Sequence, residues 1–190
     1  MVNPVEDLAA LLQRQKAARI AEGPVNAAVR RDRLQRAIDM LVRHRDALCD
    51  ALDADFGNRP RVVSLTMDVM GAITSLKYAQ KHVARWMQPR HCKGVMHFSL
   101  FGARGWVECP PKGVVGILGT WNFPLYTMLA PLAYMLAAGN RSLIKPSELN
   151  PRTAETLARA VQECFDPAEV AVVNGGVDVG RAFAALPFDH

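Results

Sequence analysis

The stretch GVVGILGT, residues 113–120, decides the fold class of this chain. Its apolar run, Val114 to Leu118, lies between two turn signals, the PPKG segment at 110–113 and the dipeptide Gly119-Thr120. A short apolar run with several β-branched residues, bounded by turns, is typical of a strand buried on both faces of a parallel sheet. The stretch therefore predicts an α/β protein with helices on both faces of such a sheet.

Strand and helix signals alternate downstream of this stretch. The predicted elements are a helix over 124–138 that is apolar all round and capped by Gly139-Asn140, a strand over 142–144, a helix from Pro151 to about Phe165 with Asn150 as N-cap, a strand over 170–173 and a short helix over 179–185. This order predicts right-handed βαβ units in a doubly wound sheet. Three strands are few for such a sheet, which averages roughly five or six, so we expect the sheet to be incomplete and the fold to be cut short after Phe188-Asp189-His190.

Upstream of the sheet the sequence predicts helices. Apolar residues recur at three- and four-residue spacing over 5–21, 27–54 and 64–87, which indicates three amphipathic helices. Two short extended runs around Gly102 and Gly105 predict a β-hairpin over 97–109. The chain thus divides into an N-terminal helical part (1–96), a hairpin (97–109) and the first βαβ units (110–190).

Composition and charge exclude several classes of protein. Half of the 190 residues are hydrophobic and 22% are charged, which is typical of globular proteins and not of disordered or fibrous ones. The longest apolar stretch, 123–138, is interrupted by Pro124, Thr127 and Pro131, so we expect no membrane span. Charged residues throughout 1–22 argue against a signal peptide, and we expect a cytoplasmic protein.

The cysteines and the net charge of +5 point to no metal site and no nucleic acid. The four cysteines, Cys49, Cys92, Cys109 and Cys164, form no C-x-x-C pair, so neither a metal site nor a disulfide framework is predicted. Basic residues alternate with acids along the helices, which favours solvated helix faces. A basic nucleic-acid binder remains a third hypothesis that only the charge supports.

Two segments follow predicted strands directly, TWNFP at 120–124 and KPSE at 145–148. Ligands of open α/β sheets bind beyond the carboxyl ends of the strands. The Asn122 carboxamide could donate hydrogen bonds to a developing oxyanion, and Lys145 with Glu148 could hold ribose hydroxyls. An asparagine that bonds its own turn and a simple loop ion pair are the alternatives that these residues leave open.

Taken together, these motifs resemble a known family. Segments GVVGI (113–117), WNFP (121–124), AGN (138–140) and IKPSE (144–148), in this order and spacing, resemble the NAD(P)-dependent aldehyde dehydrogenase superfamily. The upstream segments DFGNRP (55–60) and WMQPR (86–90) are similar to the branch with a short N-terminus that holds class 3 and coniferyl aldehyde dehydrogenases. The resemblance covers 13–190, which is less than half of a full family member.

The resemblance implies a truncated NAD(P)-binding domain and roles for seven residues. It implies that Asn122 is the oxyanion-hole amide that stabilises a tetrahedral thiohemiacetal. The implied cofactor-binding residues are Lys145 and Glu148 at the adenosine ribose, Ser147 at the ribose or a 2′-phosphate, and Ile117, Thr120 and Trp121 along the cleft. The implied cofactor is NAD or NADP, and the implied partners are an aldehyde, with coniferyl aldehyde among the candidates, and further copies of the chain. Gly113, Gly116 and Gly119 match no phosphate fingerprint and are interpreted as strand and turn geometry.

Family segments that carry a phosphate-contacting G-S-T turn, a general-base glutamate and a nucleophilic cysteine are not found in the 190 residues. Covalent aldehyde oxidation needs a thiolate and a base for the hydrolytic water, and none of the four cysteines is assigned as the nucleophile. We therefore expect a chain that binds the dinucleotide weakly and does not oxidise aldehydes by itself. The alternative hypothesis is a non-catalytic interaction module, or a truncated remnant, that associates through the hairpin over 97–109.

Overall fold

A computed structural model describes residues 4–92, 102 and 104–190 of the chain. The helices are α1 (Pro4–Glu22), α2 (Ala27–Phe56), α3 (Arg61–Val63), the π-helix π1 (Ser64–Met70), α4 (Gly71–Trp86), α5 (Pro124–Ala138), α6 (Pro151–Cys164) and α7 (Val177–Ala184). The strands are β1 (Arg90–Cys92), β2 (Gly105–Val107), β3 (Val114–Leu118), β4 (Arg141–Lys145) and β5 (Val170–Val172).

The predicted parallel sheet is present, with strand order β3-β4-β5. Val114 pairs with Arg141 and Leu118 pairs with Lys145, so that β3 and β4 end at the same level. All five residues of β4 are buried, as expected for a central parallel strand. The expected α/β fold is thereby confirmed, and the carboxyl ends of β3 and β4 lie side by side.

Helices cover both faces of this sheet. On one face, Val114, Leu143 and Ala171 pack with Leu8 and Leu12 of α1 and with Phe183 of α7. The opposite face contributes apolar residues to the larger core, which α2, α4, α5 and α6 complete. Because successive strand residues point to opposite faces, one short strand serves both cores, which explains why Val114 to Leu118 is almost continuously apolar.

Three helix ends carry the residues that are typical of helix caps. Asn26 caps α2, because its side-chain oxygen accepts hydrogen bonds from the backbone N–H groups of Ala28 and Val29 at 2.9 and 3.1 Å. At its other end Gly57 adopts a left-handed conformation with φ of 78°. Gly139 does the same after α5 with φ of 83°. Both glycines occupy a conformation that L side chains avoid.

The start of α6 differs from the expectation. Asn150 stands at the N-cap position and Pro151 begins the helix, but the Asn150 side chain makes no capping hydrogen bond. The carboxylate of Asp55, in the last turn of α2, instead accepts from the backbone N–H groups of Arg152 and Thr153 at 3.1 and 2.8 Å. The expected capping role of the Asn150 side chain is therefore wrong, because a residue from another helix satisfies the first turn.

The predicted hairpin over 97–109 lies partly outside the described residues. Its described strand, Gly105–Val107, pairs antiparallel with Arg90–Cys92, with His91 opposite Trp106. The sequence did not predict a strand at 90–92.

No helix in the described part of the chain has the length and apolarity that a bilayer crossing requires, and the same residues contain no cluster of three or more histidine, cysteine or acidic side chains that could hold a metal ion.

Gly113, just before β3, and Gly116, within β3, leave room for the residues that follow α7. A Cβ atom on Gly116 would lie 2.7 Å from the ring of Phe188, and one on Gly113 would overlap the carboxylate of Asp189. Backbone hydrogen bonds join this segment to β3, from Asp189 N–H to Val114 O at 3.0 Å and from Gly116 N–H to His190 O at 3.1 Å. The close approach of Phe188 and Asp189 therefore accounts for both glycines.

Candidate functional site

A cleft of about 580 Å³ lies beyond the carboxyl ends of β3 and β4. Six predicted site residues line it: Thr120, Trp121 and Asn122 after β3, and Lys145, Ser147 and Glu148 at and after β4. The two loops meet through a hydrogen bond from the backbone N–H of Gly119 to the carbonyl of Lys145 at 2.9 Å. The structure thus brings together the two motifs that the sequence singled out separately.

Ile117 is the one predicted site residue that does not line this cleft. Its side chain is buried in the larger core, on the β3 face opposite to that of Val114. Its role at the cofactor stays a prediction, and only its backbone could carry it.

The third wall of the cleft comes from α7, which the sequence analysis did not assign to the site. Four α7 residues, Val177, Gly180, Arg181 and Ala184, line the cleft. Topology was the signal that could have found them, since α7 follows β5 and the carboxyl end of β5 lies at the same sheet edge. A second cavity of about 340 Å³ shares segment 146–148 and extends between the first turn of α6 and the turn Asn174-Gly175-Gly176.

The Lys145 side chain is 2% exposed, yet Lys145 is among the residues that line the cleft. Its Nζ donates to the carbonyl of Pro146 at 2.7 Å and to the Glu148 carboxylate at 3.4 Å. A backbone N–H bond and the Lys145 ammonium hold the pKa of Glu148 below its ordinary value, so the carboxylate is ionised at neutral pH. The site therefore presents a buried cation beside a half-exposed anion, and the ion pair considered as an alternative does form.

Asn122 lies exposed at the lip of the cleft. Its side-chain oxygen accepts a hydrogen bond from the Thr120 hydroxyl at 2.8 Å. The hydroxyl oxygen of Thr127, one turn into α5, accepts a hydrogen bond from the backbone N–H of Thr120 at 3.3 Å. Within the described part of the chain, the Nδ2 group of Asn122 has no hydrogen-bond partner, so both of its N–H bonds are available to a ligand.

Arg59, which the sequence did not single out as a site residue, binds the backbone of the loop that carries Asn122. Arg59 donates from Nη1 to the backbone carbonyl of Asn122 at 3.0 Å and from Nη2 to the carboxylate of Asp68 at 2.5 Å. In the sequence, Arg59 was only part of a branch motif, since nothing in local periodicity links it to position 122.

The described thiols lie away from the cleft. Burial raises the pKa of Cys49 and also that of Cys164, which keeps both protonated at neutral pH. Cys109 is exposed, but it lines a different cavity together with Trp86 and Tyr134. None of these three residues can deliver a thiolate to the neighbourhood of Asn122.

Comparison with known proteins gives concordant matches. Residues 5–187 match the profile of the aldehyde dehydrogenase family. The chain is 46% identical over 185 residues to a coniferyl aldehyde dehydrogenase of Pseudomonas sp. (strain HR199), covering 97% of the chain and 38% of that protein. It is 47% identical over 182 residues to a probable coniferyl aldehyde dehydrogenase of Caulobacter vibrioides, covering 95% of the chain and 37% of that protein.

Solved structures agree with this result. AldH of Staphylococcus aureus in a substrate-bound state superimposes with a TM-score of 0.89 at 25% identity, over 98% of this chain and 40% of that one. A Mycobacterium tuberculosis aldehyde dehydrogenase complexed with NAD+ gives a TM-score of 0.80 at 26% identity, over 96% of this chain and 37% of that one. The chain thus spans about 38% of the length of the curated relative from Pseudomonas.

Proposed function

Because the chain belongs to the aldehyde dehydrogenase family, we propose that it forms the N-terminal portion of an NAD(P)-dependent enzyme that oxidises an aldehyde to the carboxylic acid. The observation that carries this proposal is the shared cleft, which is lined by the Asn122 amide and by the Lys145–Glu148 pair. An oxyanion donor and a ribose-binding pair on neighbouring strand ends suit a reaction between a dinucleotide and a carbonyl substrate.

The chemistry of the cleft fits a dinucleotide. Ribose hydroxyls both donate and accept hydrogen bonds, and Lys145 supplies a donor beside the acceptor oxygens of Glu148. The apolar residues Leu118, Val177 and Ala184 also line the cleft and suit the flat faces of a base. Bound there, the dinucleotide would supply the hydride acceptor, and these residues of the chain would hold and orient it.

Asn122 would act on the substrate carbonyl. The Thr120 hydroxyl donates a hydrogen bond to the amide oxygen, which leaves the Nδ2 group to donate to a ligand. Donors that are oriented in advance stabilise a developing oxyanion without reorganisation during the reaction, and removal of one such donor typically lowers kcat by roughly 10² to 10³. In this assignment Trp121 and Thr120 line the cofactor cleft, and Ser147 contacts the ribose or a 2′-phosphate.

Coniferyl aldehyde, or a related aromatic aldehyde, is the proposed substrate. The relatives at 46% and 47% identity are a coniferyl aldehyde dehydrogenase and a probable one. Three exposed aromatic side chains, Trp121, Phe123 and Tyr126, surround Asn122 in the sequence, and aromatic surfaces favour aromatic ligands.

We propose further that the 190 residues alone do not complete this reaction, since the described thiols lie outside the cleft. The test is to incubate the chain with NAD or NADP and coniferyl aldehyde and to follow the absorbance of the reduced cofactor. No turnover is expected, and robust turnover would show that the chain holds a nucleophile that we have not assigned.

Cofactor binding is tested separately by calorimetry. We expect NAD to bind more weakly than micromolar. Glu148→Gln should weaken binding further, because it removes the negative charge of the carboxylate that accepts hydrogen bonds from the ribose hydroxyls. The matched control is Glu163→Gln, because Glu163 lies on α6 and pairs with His44, away from the cleft. Equal binding by the wild type and both variants would contradict the assigned ribose site.

Self-association through the hairpin region is proposed as well, and it also supports the alternative of a non-catalytic interaction module. The side chains of Trp106 and Val107 on β2 are 58% and 48% exposed, and exposed apolar side chains that lie together can form a contact surface for another chain. Light scattering after size exclusion should show an oligomer that Trp106→Ser weakens. A monomer at all concentrations would argue against both roles.

The domain division at 97–109 and the cytoplasmic location stay predictions. The free thiols of the described cysteines suit a reducing compartment.

A further inference from the structure

Arg59 is held on four sides. Its guanidinium donates to the carbonyl of Asn122 and to the carboxylate of Asp68, at 3.0 and 2.5 Å. The same group lies over the ring of Phe56 at 4.5 Å and over that of Phe123 at 5.3 Å. The side chain is only 8% exposed. A guanidinium so confined cannot reach into the cleft, but it fixes whatever accepts its hydrogen bonds.

Asp68 links this arginine to the helix that follows the Asn122 loop. Its carboxylate is fully buried, with Oδ2 facing Arg59 and Oδ1 accepting from the backbone N–H groups of Leu125 and Tyr126 at 3.1 and 3.2 Å. These two N–H groups belong to the first turn of α5, which otherwise has no side-chain cap. The Asp68 carboxylate therefore acts at two points near Asn122. It orients Arg59, which binds the Asn122 carbonyl, and it binds the first turn of α5 directly.

The local backbone is adapted to this arrangement. Asp68 lies in π1. Single π-helical turns inside helices are rare overall, and those that occur are often found at functional sites. Gly71 follows π1, and a Cβ atom there would lie 2.9 Å from the ring of Tyr126. The close approach of this helix to the first turn of α5 thus depends on a glycine.

Stability alone does not account for a buried ion pair at this place. Buried ion pairs contribute little net stability, because desolvation offsets their attraction, and a neutral serine or asparagine would cap α5 equally well. What the pair adds is a hydrogen bond to the backbone of Asn122. In the described part of the chain no other donor reaches that carbonyl.

We infer that Arg59, oriented by Asp68, is a positioning residue that fixes the orientation of the Asn122 amide. This inference rests on the proposed function of Asn122 as oxyanion donor. Catalytic donors must stay within roughly 0.5 Å and 10–20° of the productive geometry, and an exposed loop needs such an anchor. Arg59 does not touch substrate or cofactor; it acts through the backbone of Asn122.

Nuclear magnetic resonance on the ¹⁵N-labelled chain tests this. The sequence has three tryptophans, so three indole N–H signals are expected, and Trp121→Phe identifies the one next to Asn122. In Arg59→Met we expect the Trp121 indole and the Asn122 side-chain amide to shift or broaden, and amide exchange over 120–123 to rise at least tenfold. Arg61→Met is the matched control, because Arg61 pairs with Asp46 and Asp50 at the surface.

A double variant separates positioning from stability. Arg59→Met leaves the Asp68 charge buried without its partner and will destabilise the chain, whereas Arg59→Met combined with Asp68→Asn removes that charge and keeps an oxygen for the α5 cap. The unfolding midpoint should recover in the double variant while the Asn122 and Trp121 signals stay perturbed. Unchanged loop signals in Arg59→Met, or signals restored together with stability, would overturn the inference.

The readout needs neither cofactor nor aldehyde, so it is independent of the proposed function. An NAD titration of the same samples reports on Glu148, and its failure in every variant, wild type included, would count against the ribose site. Loop order can then still depend on Arg59, which makes the two failures distinguishable.

Discussion

The cap that α2 provides for α6 yields a quantitative prediction. Asp55 accepts two hydrogen bonds from the first turn of α6, from Arg152 and Thr153. Loss of a capping side chain typically costs about 0.5 to 2 kcal/mol, and loss of a negative charge at a helix N-terminus about 0.3 to 1 kcal/mol. Because Asp55 does both, Asp55→Ala should lower the free energy of unfolding by about 2 kcal/mol.

Asn150→Ala is the comparison that decides between the two capping residues. Its side chain makes no capping bond, and its buried Oδ1 atom has no hydrogen-bond partner among the described residues. Removal of an unsatisfied buried oxygen offsets part of the lost packing. We therefore expect Asn150→Ala to lower the free energy of unfolding by less than half as much as Asp55→Ala.

Urea unfolding followed by circular dichroism measures both variants. With a slope of about 2 kcal/mol per M, the Asp55→Ala midpoint should move by about 1 M, and the melting temperature should fall by roughly 4 to 8 °C for a chain of this size. Hydrogen exchange at Arg152 and Thr153 should accelerate. If Asn150→Ala is the more damaging of the two, the cap is local and the long-range contact is not what stabilises α6.

Three further predictions concern stability. Burial alone would raise the pKa of Glu169, but the hydrogen bonds and charge of Arg36 outweigh it, with help from a second arginine, and the pKa lies below its ordinary value. Its stabilisation is therefore present at neutral pH and lost as pH falls through that lowered pKa; Glu169→Gln should cost roughly 1.5 to 3 kcal/mol at pH 7 and flatten the acid limb of a stability–pH curve, and an unchanged limb would contradict this. Gly116→Ala should cost about 1 to 3 kcal/mol in urea unfolding because the ring of Phe188 must move, and Phe188→Ala should relieve the overlap. Gly139→Ala should cost about 1 to 2 kcal/mol in thermal unfolding, since φ is 83° there; a neutral result would mean that the turn rearranges freely.

Local pattern was enough to predict the sheet and most helix ends. β3 has the predicted bounds, and α5 begins at Pro124 and ends at Ala138 as its apolar run indicates. Both signals lie within a few residues, because a strand is bounded by turns and a helix ends at a glycine. The two loops that form the cleft could also be paired in advance, since parallel strands end at one sheet edge.

Long-range partners could not be read in the same way. Asp55 contacts α6 and Arg59 contacts Asn122 only because the tertiary fold brings the end of α2 close to these later segments. Neither composition nor local periodicity predicts such long-range contacts. π1 lies inside a segment whose apolar spacing predicts an ordinary helix, because one wider turn hardly changes a periodicity judged over many residues. The strand Arg90–Cys92, which pairs with β2, was missed because it is too short and polar to stand out in the sequence.

The smaller core, formed by Leu8 and Leu12 of α1 with Phe183 of α7, has a consequence for biosynthesis. The α1 helix ends at Glu22, but α7 begins only at Val177, and translation at roughly 5 to 20 residues per second puts about eight to thirty seconds between them. During that interval the leucines of α1 lack their final aromatic neighbour on the nascent polypeptide. A chaperone that surveys emerging apolar segments would find its most persistent target there.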